Sequence, residues 1–97
     1  MTQALKIAFV GGGNMAAALI AGLAGKLTAG SNIHVIDPHA PALEKLNTQF
    51  GVTTAAAADD ALRAADVIVL AVKPQSMREV AAQLLPFLDG DRAPLIL

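Results

Sequence analysis

The chain has 97 residues, with 7 Lys or Arg against 8 Asp or Glu and a formal net charge of −1. That length suits one small domain with a single modest core, and the near-neutral balance excludes the basic stripe a nucleic-acid binder needs. The absence of cysteine rules out a disulfide framework and a thiolate metal site, and no apolar run nears the ~20 residues of a membrane span. No basic segment followed by a long apolar one marks a leader, so a cytoplasmic location is the expectation. Hydrophobic residues make up 55% of the chain but aromatics only 3%, a mix that suits aliphatic strands covered by alanine-rich helices.

Leu5 to Val10 reads as a first strand, almost continuously apolar, as a parallel strand covered on both faces is. Gly11-Gly12-Gly13 follows, and then a first helix from Asn14 to about Leu27, on which Met15, Leu19, Leu23 and Leu27 recur at helical spacing and Ile20 widens the stripe. Thr28 to Asn32 reads as a turn and Ile33 to Asp37 as a second strand. Pro38 and Pro41 set up a second helix to about Phe50, with Leu43, Leu46 and Phe50 on one face and Gly51 as its C-cap. Val52 to Thr54 is a short third strand, and Ala55 to Ala65 a small helix with Asp59 and Asp60 near its start. Val67 to Val72 is the strongest strand of the chain. Lys73-Pro74-Gln75 breaks it, and a helix from about Ser76 to Leu88 turns Met77, Val80, Leu84, Leu85 and Leu88 inward, with Pro86 disturbing its last turn. After the turn Asp89-Gly90-Asp91, Leu95-Ile96-Leu97 reads as a strand just entered, which marks residues 1–97 as the front part of a longer protein. Strands alternating with helices specify an α/β fold with a doubly wound parallel sheet.

Chemistry concentrates in two loops. Gly11-x-Gly13-x-x-Ala16, placed between a strand and a helix, fits the dinucleotide-binding fingerprint of Rossmann-like domains. Gly11 permits the sharp turn, Gly13 clears the approach of a pyrophosphate, and Ala16 keeps helix and strand close. The helix start then aims unpaired N–H groups, and roughly half a positive charge, at the phosphates. An ordinary strand–turn–helix joint would also use glycine, but Asp37 follows about 20 residues after the fingerprint, the offset for a ribose contact. Asp37 is equally readable as a helix cap before Pro38. The second loop, Ala71-Val72-Lys73-Pro74, borders the carboxyl ends of the strands, where its backbone can line the nicotinamide ribose; Lys73 itself reads as a solvated side chain. The candidate cofactor site is therefore Val10, Gly11, Gly12, Gly13, Asn14, Met15, Asp37, Ala71, Val72, Lys73 and Pro74. His34 reads as a partly buried or edge histidine, and Asp59, Asp60 and Asp66 as caps and turn residues. No metal cluster, nucleophile or general acid stands out.

Taken together, Val10-Gly11-Gly12-Gly13-Asn14-Met15-Ala16 and Ala65-Asp66-Val67-Ile68-Val69-Leu70-Ala71-Val72-Lys73-Pro74-Gln75 resemble the N-terminal domain of the pyrroline-5-carboxylate reductases. The resemblance runs over essentially the whole chain and leaves the family's second, helical domain unaccounted for. It implies reduction of the C=N bond of 1-pyrroline-5-carboxylate to proline by NADPH or NADH, with a small imine as substrate. It also implies substrate residues and a homo-oligomeric interface largely in the helical domain, so that residues 1–97 alone would not turn over substrate.

Several members of that family carry a small hydroxylated residue where this chain has Asp37, which tolerates a 2′-phosphate. Carboxylate chemistry leans to NAD and family habit to NADP; the expectation set here is NADP, with Asp37 turned aside to cap the helix. Three other readings share the same front end: a dehydrogenase of the 6-phosphogluconate type, against which Val72-Lys73-Pro74-Gln75 argues, a non-catalytic NAD(H)-sensing module, and a glycine-loop methyltransferase.

Overall fold

Five short strands pair into one parallel sheet in the computed structural model, which describes residues 5–87 and 95–96. The strands are β1 (Ile7–Val10), β2 (Ile33–Ile36), β3 (Thr53–Ala55), β4 (Val67–Leu70) and β5 (Leu95–Ile96), in the order β3-β2-β1-β4-β5. The helices are α1 (Asn14–Leu23), α2 (Ala40–Phe50), α3 (Ala61–Ala64) and α4 (Met77–Leu84). The expected inward Leu88, the turn at Asp89-Gly90-Asp91 and the last strand residue Leu97 lie outside the described residues.

The central strand explains why its sequence does not alternate. Ile7 and Phe9 enter one core with Ile33 and Val35 of β2, Ala16 and Ile20 of α1, and Leu43 and Leu46 of α2. Ala8 and Val10 enter a second core, on the other face, with Ile36, Leu62 of α3, Ile68 and Leu84 of α4. A strand covered on both faces needs apolar residues at every position, and Phe9 is fully buried at the centre. The register sets Val10 opposite both Ile36 and Leu70. The carboxyl ends of β1, β2 and β4 therefore share one edge, and the chain winds away in opposite directions from β1 and β4.

Three expectations need correction. The helix foreseen to Leu27 stops at Leu23, and the chain then turns through Gly25 at φ +76°. Of the expected stripe, Ile20 is fully buried and Leu23 packs on the first core, but Met15, Leu19 and Leu27 are 68%, 43% and 60% exposed, and Ala16 is buried in their place. Ala16 and Ile20, one turn apart, share the side that packs on the first core, with Ala17 and Leu23 partly buried beside them. The helix foreseen over 55–65 shrinks to Ala61–Ala64, starting where the Asp59 Oδ1 accepts the Ala61 N–H at 3.2 Å.

Finally, Leu85 does not turn inward but is 67% exposed. Pro86 has no N–H to continue the helix, so α4 gives way to a 3-10 turn over Leu85–Phe87, and the side of α4 that carries Val80, Leu84 and Phe87 packs on the second core. Gly51 caps α2 in the left-handed region, φ +72°, as expected.

Candidate cofactor-binding site

The ends of β1 and β4 are laced together at the glycine loop. The Gly11 N–H donates to the Ile36 carbonyl at 2.8 Å, and the Ala71 N–H donates to the Val10 carbonyl at 2.8 Å. Gly11 itself has φ +109°, and a Cβ there would overlap the Ala71 carbonyl oxygen and sit 3.2 Å from Val72 Cγ1. Two independent constraints thus exclude a side chain at Gly11, both set by how closely the two strands part at this point.

Gly13 is different. Its φ is −79°, open to any residue, and a Cβ would meet nothing within 4 Å. Among the described residues nothing fills that space, so the missing side chain leaves the approach to the start of α1 open. Gly13 is also the N-cap of α1 and offers no capping side chain. The first helical bond runs from the Ala17 N–H to the Gly13 carbonyl at 3.0 Å, which leaves the N–H groups of Asn14, Met15 and Ala16 without intrahelical partners. An uncapped helix start with no side chain in front of it is a place for an anion.

Asp37 follows β2, and the helix cap expected of it is not made: the N-cap of α2 is His39, with no side-chain capping bond. Its Oδ2 accepts the Gly12 N–H at 2.7 Å and its Oδ1 accepts the His39 N–H at 2.7 Å, just ahead of α2. Its own N–H donates to the Ala55 carbonyl at 3.1 Å, tying the end of β2 to β3. A Cβ at Gly12 would lie 3.4 Å from the Asp37 Cβ, an ordinary contact, so the bond to Asp37 does not itself require glycine there.

Gly11, Gly13, Asp37, Ala71, Val72 and Lys73 line one crevice of about 390 Å³, together with Glu79 and Val80 of α4. Val10 lines an adjoining, largely apolar cleft of about 440 Å³. Gly12 is buried behind the loop, Asn14 and Met15 stand exposed on the first turn of α1, and Pro74 opens an exposed 3-10 turn. Lys73 is exposed, and its carbonyl accepts the Ser76 N–H at 2.9 Å.

Sequence reasoning missed the walls of the adjoining cleft, Ala56 to Ala58 after β3 and Val80, Gln83 and Phe87 from the last helix and turn. Alanines and a helix side carry no motif; only their convergence on one strand edge marks them. Arg63 helps to fix that wall, donating to the Pro86 carbonyl at 3.0 Å with its guanidinium 5.2 Å over the Phe87 ring.

The remaining polar residues lie elsewhere. His34 faces the second core side of β2 in the middle of the sheet, Nδ1 2.6 Å from Thr53 Oγ1 and Nε2 3.2 Å from the Asp59 carboxylate. Asp60 pairs with Arg63 at 2.8 Å, and Asp66 accepts the Lys6 N–H at 2.9 Å. Among the described residues no group of three His, Cys, Asp or Glu side chains could hold a metal ion, and no helix is long and apolar enough to cross a membrane.

The arrangement fits an extended dinucleotide. It has bare backbone and free N–H groups where a diphosphate needs them, a carboxylate with spare lone pairs for hydroxyls, and an apolar cleft for a flat base.

The comparisons agree with this reading. The chain is 41% identical over 87 residues to a pyrroline-5-carboxylate reductase of Pseudomonas aeruginosa, covering 90% of this chain and 32% of that protein. A solved pyrroline-5-carboxylate reductase of Coxiella burnetii matches at a TM-score of 0.80 with 32% identity, over 90% of this chain and 32% of that one. The NADP-bound pyrroline carboxylate reductase of Plasmodium falciparum shares the fold, at a TM-score of 0.69 and 24% identity, over 95% of this chain and 32% of that one. The chain thus spans about a third of the length of the relatives it matches. Residues 6–93 match the model of the family described as NADP oxidoreductase, coenzyme F420-dependent, and the chain belongs to that family.

Proposed function

We propose that residues 1–97 form the dinucleotide-binding domain of a cytoplasmic pyrroline-5-carboxylate reductase, which reduces 1-pyrroline-5-carboxylate to L-proline with NADH or NADPH. The observation that carries this reading is the crevice where the glycine loop after β1 meets the loop after β4, on a chain 41% identical to a reductase of that name.

In this reading the backbone from Val10 to Met15 holds the pyrophosphate against the start of α1. Asp37 receives the adenosine ribose, and the cleft bounded by Ala57, Val80 and Phe87 receives the adenine. The backbone of Ala71 to Pro74 borders the nicotinamide ribose. When bound, the reduced nicotinamide supplies hydride. The imine carbon accepts that hydride and the imine nitrogen a proton, which converts C=N to CH–NH. The part played by this chain is to orient the dinucleotide and keep water from its reactive face. A second, helical domain completes the substrate pocket and the homo-oligomeric interface.

The test is turnover by the full-length protein. Oxidation of NADH or NADPH that depends on 1-pyrroline-5-carboxylate, with proline as product, is the expected result. Dinucleotide binding without turnover would overturn the substrate assignment.

A further inference from the structure

We propose that this chain discriminates in favour of NADH, with Asp37 as the specificity-determining residue, although its family is named for NADP. The proposal rests on the crevice being a dinucleotide site. Its argument lies in how the carboxylate is held.

For Asp37 to tolerate a 2′-phosphate it must turn away from the ribose, and capping α2 would be the reason to turn. The structure separates these alternatives. Asp37 does not cap α2, whose N-cap is His39 with no side-chain capping bond; its Oδ1 closes a turn onto the His39 N–H while its Oδ2 is held in the glycine loop by the Gly12 N–H, both at 2.7 Å. The carboxylate bridges the loop after β1 and the loop after β2, and it stays on the wall of the crevice. Its backbone is tied as well, through the Ala55 carbonyl at 3.1 Å.

Each carboxylate oxygen has two lone-pair sites, and one on each is used. One site per oxygen remains for the vicinal hydroxyls of an unphosphorylated ribose, which are donors. A 2′-phosphate brings negative charge and acceptor oxygens to a fixed anion, a repulsive pairing on both counts.

Among the described residues the one cation that lines the crevice with Asp37 is Lys73, on the loop after β4, and it makes no ion pair with Asp37. The loop Asp37-Pro38-His39-Ala40 contains no Lys or Arg, where NADP sites place an arginine. The next basic residue along the chain, Lys45, lines a separate groove beside Glu44 and Pro41. Among the described residues Asp37 has no ion-pair partner. His39 is exposed and is the one basic side chain of the loop.

The experiment is calorimetric titration of the full-length protein with NADH and with NADPH, without substrate, on the wild type and on Asp37→Ser, Asp37→Asn and His39→Ala. Wild-type protein should bind NADH at least about tenfold more tightly than NADPH, a gap of about 1.4 kcal/mol. Both Asp37 variants should bring the ratio to about one or invert it, by weakening NADH and tightening NADPH; His39→Ala should leave NADH the tighter ligand. A wild type that binds NADPH as tightly as NADH overturns the proposal without recourse to any variant, and so does an unchanged ratio in both folded Asp37 variants. Binding of neither nucleotide would overturn the crevice assignment itself, and this proposal with it.

Discussion

Alanine at Gly11 and alanine at Gly13, two residues apart, should separate folding from binding. At Gly11 the new methyl group meets a backbone φ of +109° and the Ala71 carbonyl oxygen. The dihedral alone costs about 1–3 kcal/mol. Relieving the overlap means moving the ends of β1 and β4 apart, which strains the 2.8 Å bond from the Ala71 N–H to the Val10 carbonyl, worth about 1 kcal/mol net. Because the obstacle is backbone, no rotamer change escapes it, and the total loss should be about 3 kcal/mol or more.

At Gly13 the φ of −79° accepts alanine and nothing lies within 4 Å of the added carbon. Alanine is a poorer N-cap than glycine by about 1 kcal/mol or less, and the reduced freedom of the unfolded chain returns about 0.4–1 kcal/mol. Stability should therefore stay within about 0.5 kcal/mol of wild type. The methyl group does project into the approach to the α1 start, so dinucleotide affinity should fall by at least about tenfold. Urea unfolding and calorimetric titration of both full-length variants measure the two quantities independently. A Gly13→Ala protein with undiminished dinucleotide affinity would refute the claim that this glycine answers to a ligand, and a Gly11→Ala protein as stable as wild type would refute the steric account of the loop.

Three further outcomes follow from packing. Ile20→Ala should cost about 2–5 kcal/mol because the residue is fully buried, whereas its neighbour Leu19, 43% exposed, should lose about 1 kcal/mol or less on the same change; denaturant midpoints compare the pair. His34→Ala should lower stability by about 1–2 kcal/mol through the lost contacts to Thr53 and Asp59 and leave dinucleotide affinity unaltered, since the imidazole does not line the crevice; unfolding and titration of the same sample check both halves. Gly51→Ala should cost about 1–2 kcal/mol from its φ of +72° alone, as no atom lies within 4 Å of the added methyl group, and should not change cofactor binding.

Much of the fold was legible along the chain, for a local reason. A parallel strand buried on both faces must be apolar at consecutive positions, so Ile7–Val10, Ile33–Ile36 and Val67–Leu70 announced themselves. The glycine fingerprint was legible because its requirement, a turn directly off a strand, is also local. The face of α1 was read only in part: Ile20 and Leu23 do turn to the core, but Met15, Leu19 and Leu27 do not. Met15 and Leu19 form as good a stripe as Ala16 and Ile20, and hydrophobicity alone favours the larger residues. What decided the matter was the rotation of the helix on the sheet, which turns Ala16 and Ile20 into the core and leaves Met15 and Leu19 exposed.

The site divides along the same line. The residues Gly11, Gly13 and Asp37 could be named from their spacing, because type and offset are properties of the chain. The role of Asp37 could not, because it depends on a hydrogen bond to Gly12, 25 residues away in sequence. The apolar cleft was invisible for a similar reason. Ala56 to Ala58, Val80 and Phe87 are ordinary residues that acquire a role only where a loop and a helix converge. Composition and periodicity determined which segments become strands and where the chain must turn. Tertiary packing decided which faces are buried, which N–H groups remain free, and how a single carboxylate comes to serve two loops at once, because each of these depends on distances that only the folded chain sets.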